Sequence, residues 1–118
     1  MRILIPVLPQ KEGYIISEHF GRAPFFAIYD TSNIEKPAEI IKNTVPPTMK
    51  ERSGRGRLVL ELLSKVDFDA IITKEIGRGA FYELSLAKKI YKSSDRTPID
   101  ALKKLLSSEL DEINEPTE

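Results

Sequence analysis

The segment Ser17-Glu18-His19-Phe20-Gly21-Arg22-Ala23-Pro24 holds the single histidine of this 118-residue chain. A neutral imidazole is a ligand for a metal or a metal cluster, and Arg22 brings positive charge three residues further on. The bland alternative is a loop histidine bonded only to backbone. Five of the six glycines fall into three groups, Gly21, Gly54 with Gly56, and Gly77 with Gly79. Arg22, Arg55, Arg57 and Arg78 each adjoin one of these glycines, and Arg52 lies two residues from Gly54. Glycine admits a ligand close to the backbone, helix-start N–H groups point outward, and guanidinium forks bind anionic oxygens or sulfides. Gathered at one end of a sheet, these connections would make a basic mouth for a small anion. Taken one at a time, each glycine serves a turn and each arginine a solvated surface.

The chain has no cysteine. That excludes a disulfide framework, a thiolate nucleophile, a zinc finger and a cysteine-ligated iron–sulfur cluster. A lone histidine cannot build an all-protein metal cage. It can be one ligand of a preassembled cluster that brings its remaining coordination with it.

The elements that must position these residues are legible in the hydropathy pattern. Arg2 to Leu8 alternates as a strand covered on both faces, with Pro6 arguing against a central place because it cannot donate to a ladder. Tyr14-Ile15-Ile16 reads as a short extended return, Phe25 to Tyr29 as a buried strand, and Ala38 to Asn43 as an edge strand. After a polar loop from Thr44 to Ser53, the period changes. Leu58, Val59, Leu62, Leu63 and Val66 recur at helical spacing, Phe68 to Thr73 reads as a strand, and Ala80, Phe81, Leu84 and Ala87 mark a second helix. Lys89-Ile90-Tyr91 is a last short strand. Thr97-Pro98-Ile99-Asp100 opens a third helix, with threonine as cap and proline in the first turn. Strands followed by alternating strands and helices predict an α/β fold, a mixed sheet of about five strands flanked by helices.

Charge divides the chain unevenly. Residues 109–118 carry Glu109, Asp111, Glu112, Glu115 and Glu118 with no basic residue, so the body of residues 1–108 holds 18 basic residues against 13 acidic ones, an excess of +5. The expectation is one domain over 1–108 and an acidic, flexible tail over 109–118. The basic excess favours a small anionic ligand over a long nucleic acid. Lys50 to Arg57 could contact phosphates, but no aromatic residue is interleaved for base stacking and no phosphate-loop lysine motif is present. No apolar stretch approaches the roughly 20 residues of a membrane helix, and the start lacks the apolar core of a signal peptide. A cytoplasmic protein with no membrane partner is expected.

These residues resemble the dinitrogenase iron-molybdenum cofactor biosynthesis family, whose members include carriers of the nitrogenase cofactor and its precursors. The resemblance rests on Met1-Arg2-Ile3-Leu4-Ile5-Pro6-Val7, on Ser17 to Phe26, on Gly54-Arg55-Gly56 before an apolar helix, on Ile76-Gly77-Arg78-Gly79-Ala80-Phe81 and on Thr97 to Leu102. It covers nearly the whole body, and the His-Phe-Gly-Arg-Ala run before an aromatic strand is its most specific part. Lys74-Glu75 depart from it, standing where small residues are common. The resemblance implies a ribonuclease H-like, three-layer α/β fold. It also implies a non-enzymatic carrier of an anionic iron–sulfur or iron–molybdenum type cluster. His19 would be the metal ligand, with Arg22, Arg55 and Arg78 complementing charge and Gly21, Gly54, Gly56, Gly77 and Gly79 admitting the cargo. Donor and acceptor proteins for the cluster are the implied partners. The alternative is a regulatory or interaction module that binds a nucleotide or a protein through the same mouth. A ribonuclease H-like fold also raises metal-dependent hydrolysis, but Asp30, Asp67, Asp69 and Glu75 form no carboxylate quartet on the central strands.

Overall fold

The computed structural model describes residues 1–46, 48 and 54–118. Lys50, Glu51, Arg52 and Ser53, half of the basic run, therefore lie outside the described residues. The elements are β1 (Arg2–Gln10), β2 (Gly13–Ile16), β3 (Phe25–Asp30), β4 (Glu39–Lys42), α1 (Arg55–Leu63), β5 (Ala70–Thr73), α2 (Arg78–Leu84), β6 (Lys89–Lys92), α3 (Pro98–Leu106) and β7 (Asp111–Glu112). Among the described residues no helix is long and apolar enough to cross a membrane.

The sheet has seven strands rather than the expected five, in the order β4-β3-β1-β5-β6-β7, with β2 paired to β1 off that path. It is mixed as expected, antiparallel from β4 to β1 and parallel from β1 through β5 to β6. β1 lies at its centre despite Pro6. The Pro6 carbonyl accepts the Ser17 N–H at 2.9 Å. In extended backbone the nitrogen of a residue points to the same edge as its carbonyl. Along that edge β1 pairs with β5 at Ile3 and Leu4 and with β2 from Val7 onward. The missing donor thus falls at the hand-over between two partners, where no ladder bond is lost.

Three layers follow from the two faces of the sheet. Leu4, Phe26, Ile28, Ile71 and Ile90 pack under α1 and α2 with Val59, Leu63 and Phe81, while Ile3, Ile5, Val7, Ala27 and Ile72 pack under α3 with Ala101 and Leu102. The third helix starts as its sequence demands: the Thr97 side chain accepts the Asp100 N–H at 3.4 Å and Pro98 takes the first turn.

Part of the acidic tail joins the sheet. Asp111 and Glu112 pair antiparallel with Lys92 and Tyr91, and the Ile113 N–H donates to the Ile90 carbonyl at 2.8 Å. The edge of β6 would otherwise present unpaired backbone groups, and Ile113 supplies apolar contact to the core beside them.

Candidate functional site

The loop after β2 is anchored by two buried residues and so presents the residues adjoining them. Phe20 is fully buried and packs against Phe26 with ring centroids 5.3 Å apart, and Ala23 is buried beside it. His19 and Arg22 are correspondingly exposed. Backbone bonds tie this loop to the end of β5: the Phe20 N–H donates to the Glu75 carbonyl at 3.0 Å and the Glu75 N–H to the Glu18 carbonyl at 3.1 Å. His19 therefore sits just past the carboxyl end of a parallel strand, where open α/β sheets gather their ligands.

Two further side chains hold the loop. Asn43, just past β4, donates its amide to the carbonyls of Gly21 at 3.2 Å and Ala23 at 2.8 Å. Arg55, in the first turn of α1, is 3% exposed and donates its guanidinium to the Gly21 carbonyl. A Cβ on Gly21 would stand 3.0 Å from the Arg55 guanidinium, so glycine here permits the close approach. Gly54 precedes Arg55 with φ of 86°, the left-handed turn that starts α1.

A cleft of about 1330 Å³ opens between this loop and the starts of α1 and α2. Of the nine predicted residues, the structure brings His19, Gly21, Arg22, Gly54, Arg55, Gly56, Gly77 and Gly79 to its lining. Arg78 is exposed and is not among the lining residues. Arg57 joins the lining, and so do Glu61, Glu83 and Glu118, so the charge of the mouth is mixed rather than uniformly basic. Lys88 also borders it, but its ammonium donates to the Phe68 carbonyl at 2.5 Å and lies 4.8 Å from the Phe68 ring centroid. Gly56 and Gly79 occupy the first turns of α1 and α2, and among the described residues a Cβ on either would meet nothing within 4 Å.

Sequence reasoning missed Glu118. Its carboxylate lies 2.5 Å from His19 Nδ1. The end of the chain is fixed by Ile76, whose N–H donates to the Thr117 hydroxyl at 2.8 Å and whose carbonyl accepts the N–H groups of Thr117 at 3.0 Å and Glu118 at 3.2 Å. Glu75 contributes through its backbone, while a bond to the Thr117 hydroxyl and Lys92 at 3.6 Å hold its carboxyl below the usual carboxylate range. Nothing in the local pattern around 109–118 announces a partner 99 residues away in sequence; only its one apolar residue beyond β7, Ile113, hints that the segment docks.

The acids that a nuclease would need are used otherwise. Asp69 accepts the Arg2 N–H at 2.7 Å, and Asp30 accepts the backbone and hydroxyl of Ser32, which lowers its pKa. Among the described residues no three His, Asp or Glu side chains are grouped to hold a metal ion.

The sequence profile of the family described as dinitrogenase iron-molybdenum cofactor matches residues 1–108. The chain belongs to that family. No curated protein matches it. Among solved structures, the apo form of the orange protein from Desulfovibrio gigas superposes with a TM-score of 0.81 at 24% identity, over 99% of this chain and 96% of that one. A candidate NifB protein from Thermotoga gives 0.72 at 26% identity, over 99% and 97%. A candidate dinitrogenase from Methanocaldococcus jannaschii gives 0.71 at 20% identity, over 98% and 97%. The family fold thus accounts for the whole described chain, including the tail beyond the profile match.

Proposed function

We propose that this protein is a non-enzymatic, cytoplasmic carrier of an anionic iron–sulfur or iron–molybdenum type cluster, built on a fold of the ribonuclease H-like type. The cluster is cargo, taken from a donor protein and passed to an acceptor. In this reading His19 is the protein's metal ligand and Arg22, Arg55 and Arg57 offset the charge of the cargo. Arg78, exposed between the lining residues Gly77 and Gly79, adds its charge at the edge of the mouth. The absence of cysteine suits a carrier, because a cluster held by one imidazole and by charge is released more readily than one held by four thiolates.

The observation that carries the reading is the pair of glycines at Gly56 and Gly79. Glycine in a helix costs about 0.5–1 kcal/mol relative to alanine, and neither position needs glycine to relieve a contact with the described residues. Both line the cleft with His19. A bound group that comes up against the helix starts gives these glycines a purpose, and membership of a family described by the iron-molybdenum cofactor supports a cluster as that group.

The test is an anaerobic titration of the apo protein with a synthetic iron–molybdenum–sulfur cluster, read by visible absorption and bound metal. Stoichiometric uptake by the wild type that weakens in both His19→Ala and Arg22→Ala is expected. Uptake unchanged in both variants, or absent in the wild type, overturns the reading.

A further inference from the structure

The contact between Glu118 and His19 defines which imidazole nitrogen is offered to a ligand. The Glu118 carboxylate oxygen lies 2.5 Å from Nδ1. An ionised carboxylate only accepts hydrogen bonds, so Nδ1 must carry a proton, and in the neutral ring Nε2 then holds the lone pair. The side chains are 48% and 37% exposed, and an ion pair so open to water contributes little to folding. The backbone segments that carry the two side chains are nevertheless tied to one another. Four hydrogen bonds fix Thr117 and Glu118 to Ile76, and the preceding residue, Glu75, is the backbone partner of the His19 loop. Carboxylate and imidazole are thus held from two sides of one short stretch, residues 75–76.

The geometry points to Glu118 as a positioning residue that sets the Nδ1–H tautomer of His19 and so presents Nε2 as the ligand atom. The inference rests on the proposed role of His19 and deepens it. A carboxylate on the distal nitrogen orients a ligating imidazole and raises its basicity, and loss of such a partner typically weakens metal binding about 10–100-fold. The same arrangement gives the C-terminal segment a role in the site.

The chain has one histidine, so its imidazole is observed without overlap in long-range ¹⁵N–¹H correlation spectra. In buffer where the spectra themselves report a neutral ring, the apo wild type should show the Nδ1–H tautomer. Glu118→Ala should move His19 toward the Nε2–H form, and Glu118→Gln should keep the wild-type form, because its amide oxygen still accepts from Nδ1. An Nε2–H tautomer in the wild type, or the same tautomer in Glu118→Ala, overturns the inference. These spectra need no cargo, so they stand or fall apart from cluster binding. With the synthetic iron–molybdenum–sulfur cluster as probe, Glu118→Ala should bind about 10–100-fold more weakly and Glu118→Gln less so. Tighter binding by Glu118→Ala would show that the carboxylate competes with the cargo and would also overturn the inference.

Discussion

Replacing Gly56 and Gly79 together by alanine should make the protein more stable and less able to take up its cargo. Both lie at the second residue of their helices, α1 and α2, and neither has a positive φ. A Cβ on either meets nothing within 4 Å among the described residues, so no clash offsets the gain in helix propensity. Alanine in a helix interior is favoured by up to about 1 kcal/mol, and a first-turn position gains about half of that. The pair should add about 1 kcal/mol. At about 2 cal/mol/K per residue, a chain of this length unfolds with an entropy for which 1 kcal/mol corresponds to roughly 4 °C in Tm. The assay is thermal unfolding by circular dichroism beside anaerobic cluster titration. A stabilised double variant with wild-type uptake would refute the argument that the glycines make room for a bound group. A destabilised variant would refute the reading of the space around them.

Three other outcomes are expected. Phe20→Ala, which empties a fully buried site against Phe26, should cost about 3–5 kcal/mol in urea unfolding and free the His19 loop. Asp95 has its carboxyl held below the usual range, first by the hydrogen bond from Lys104 at 2.8 Å and then by the Ser93 hydroxyl. A depressed carboxylate contributes stability that is present above the unfolded-state pKa of about 3.9 and is lost as pH falls through the lower folded value. Asp95→Asn should therefore be less stable than the wild type at neutral pH, with the difference in unfolding free energy vanishing at pH values below the carboxylate range. Hydrogen exchange should find the Ile113 and Thr117 amides protected, since they donate to Ile90 and Ile76; exchange at the rate of a free peptide would contradict the docked tail.

The strands β1 and β3 and the helix α3 were legible because each carries its own signal, apolar residues for both faces of β1, a continuous aromatic and apolar run in β3, and a threonine cap with proline in the helix. The first helix begins at Arg55, three residues before its first apolar residue, because Gly54 turns the chain with a positive φ that hydropathy does not register. The strand β7 was illegible for a different reason: its two residues are acidic and exposed, and they pair only because β6 offers them a backbone edge. The same division holds in the site. His19 and its glycine and arginine neighbours stand out as a local motif, whereas Asn43 and Glu118 reach the loop from distant segments through single side-chain contacts.

The shortness and charge of β7 bear on how copies of this protein meet in solution. An exposed sheet edge invites a second molecule to add its own strand, the first step toward fibrous aggregates. At one margin the sheet ends in a two-residue acidic strand, too short to seed a ladder and negative enough to repel an identical edge. At the other, β4 carries Glu39 and Lys42 at its ends. The segment that reaches back toward the cleft thus also guards against self-templating, so that a seven-stranded sheet need not close into a barrel.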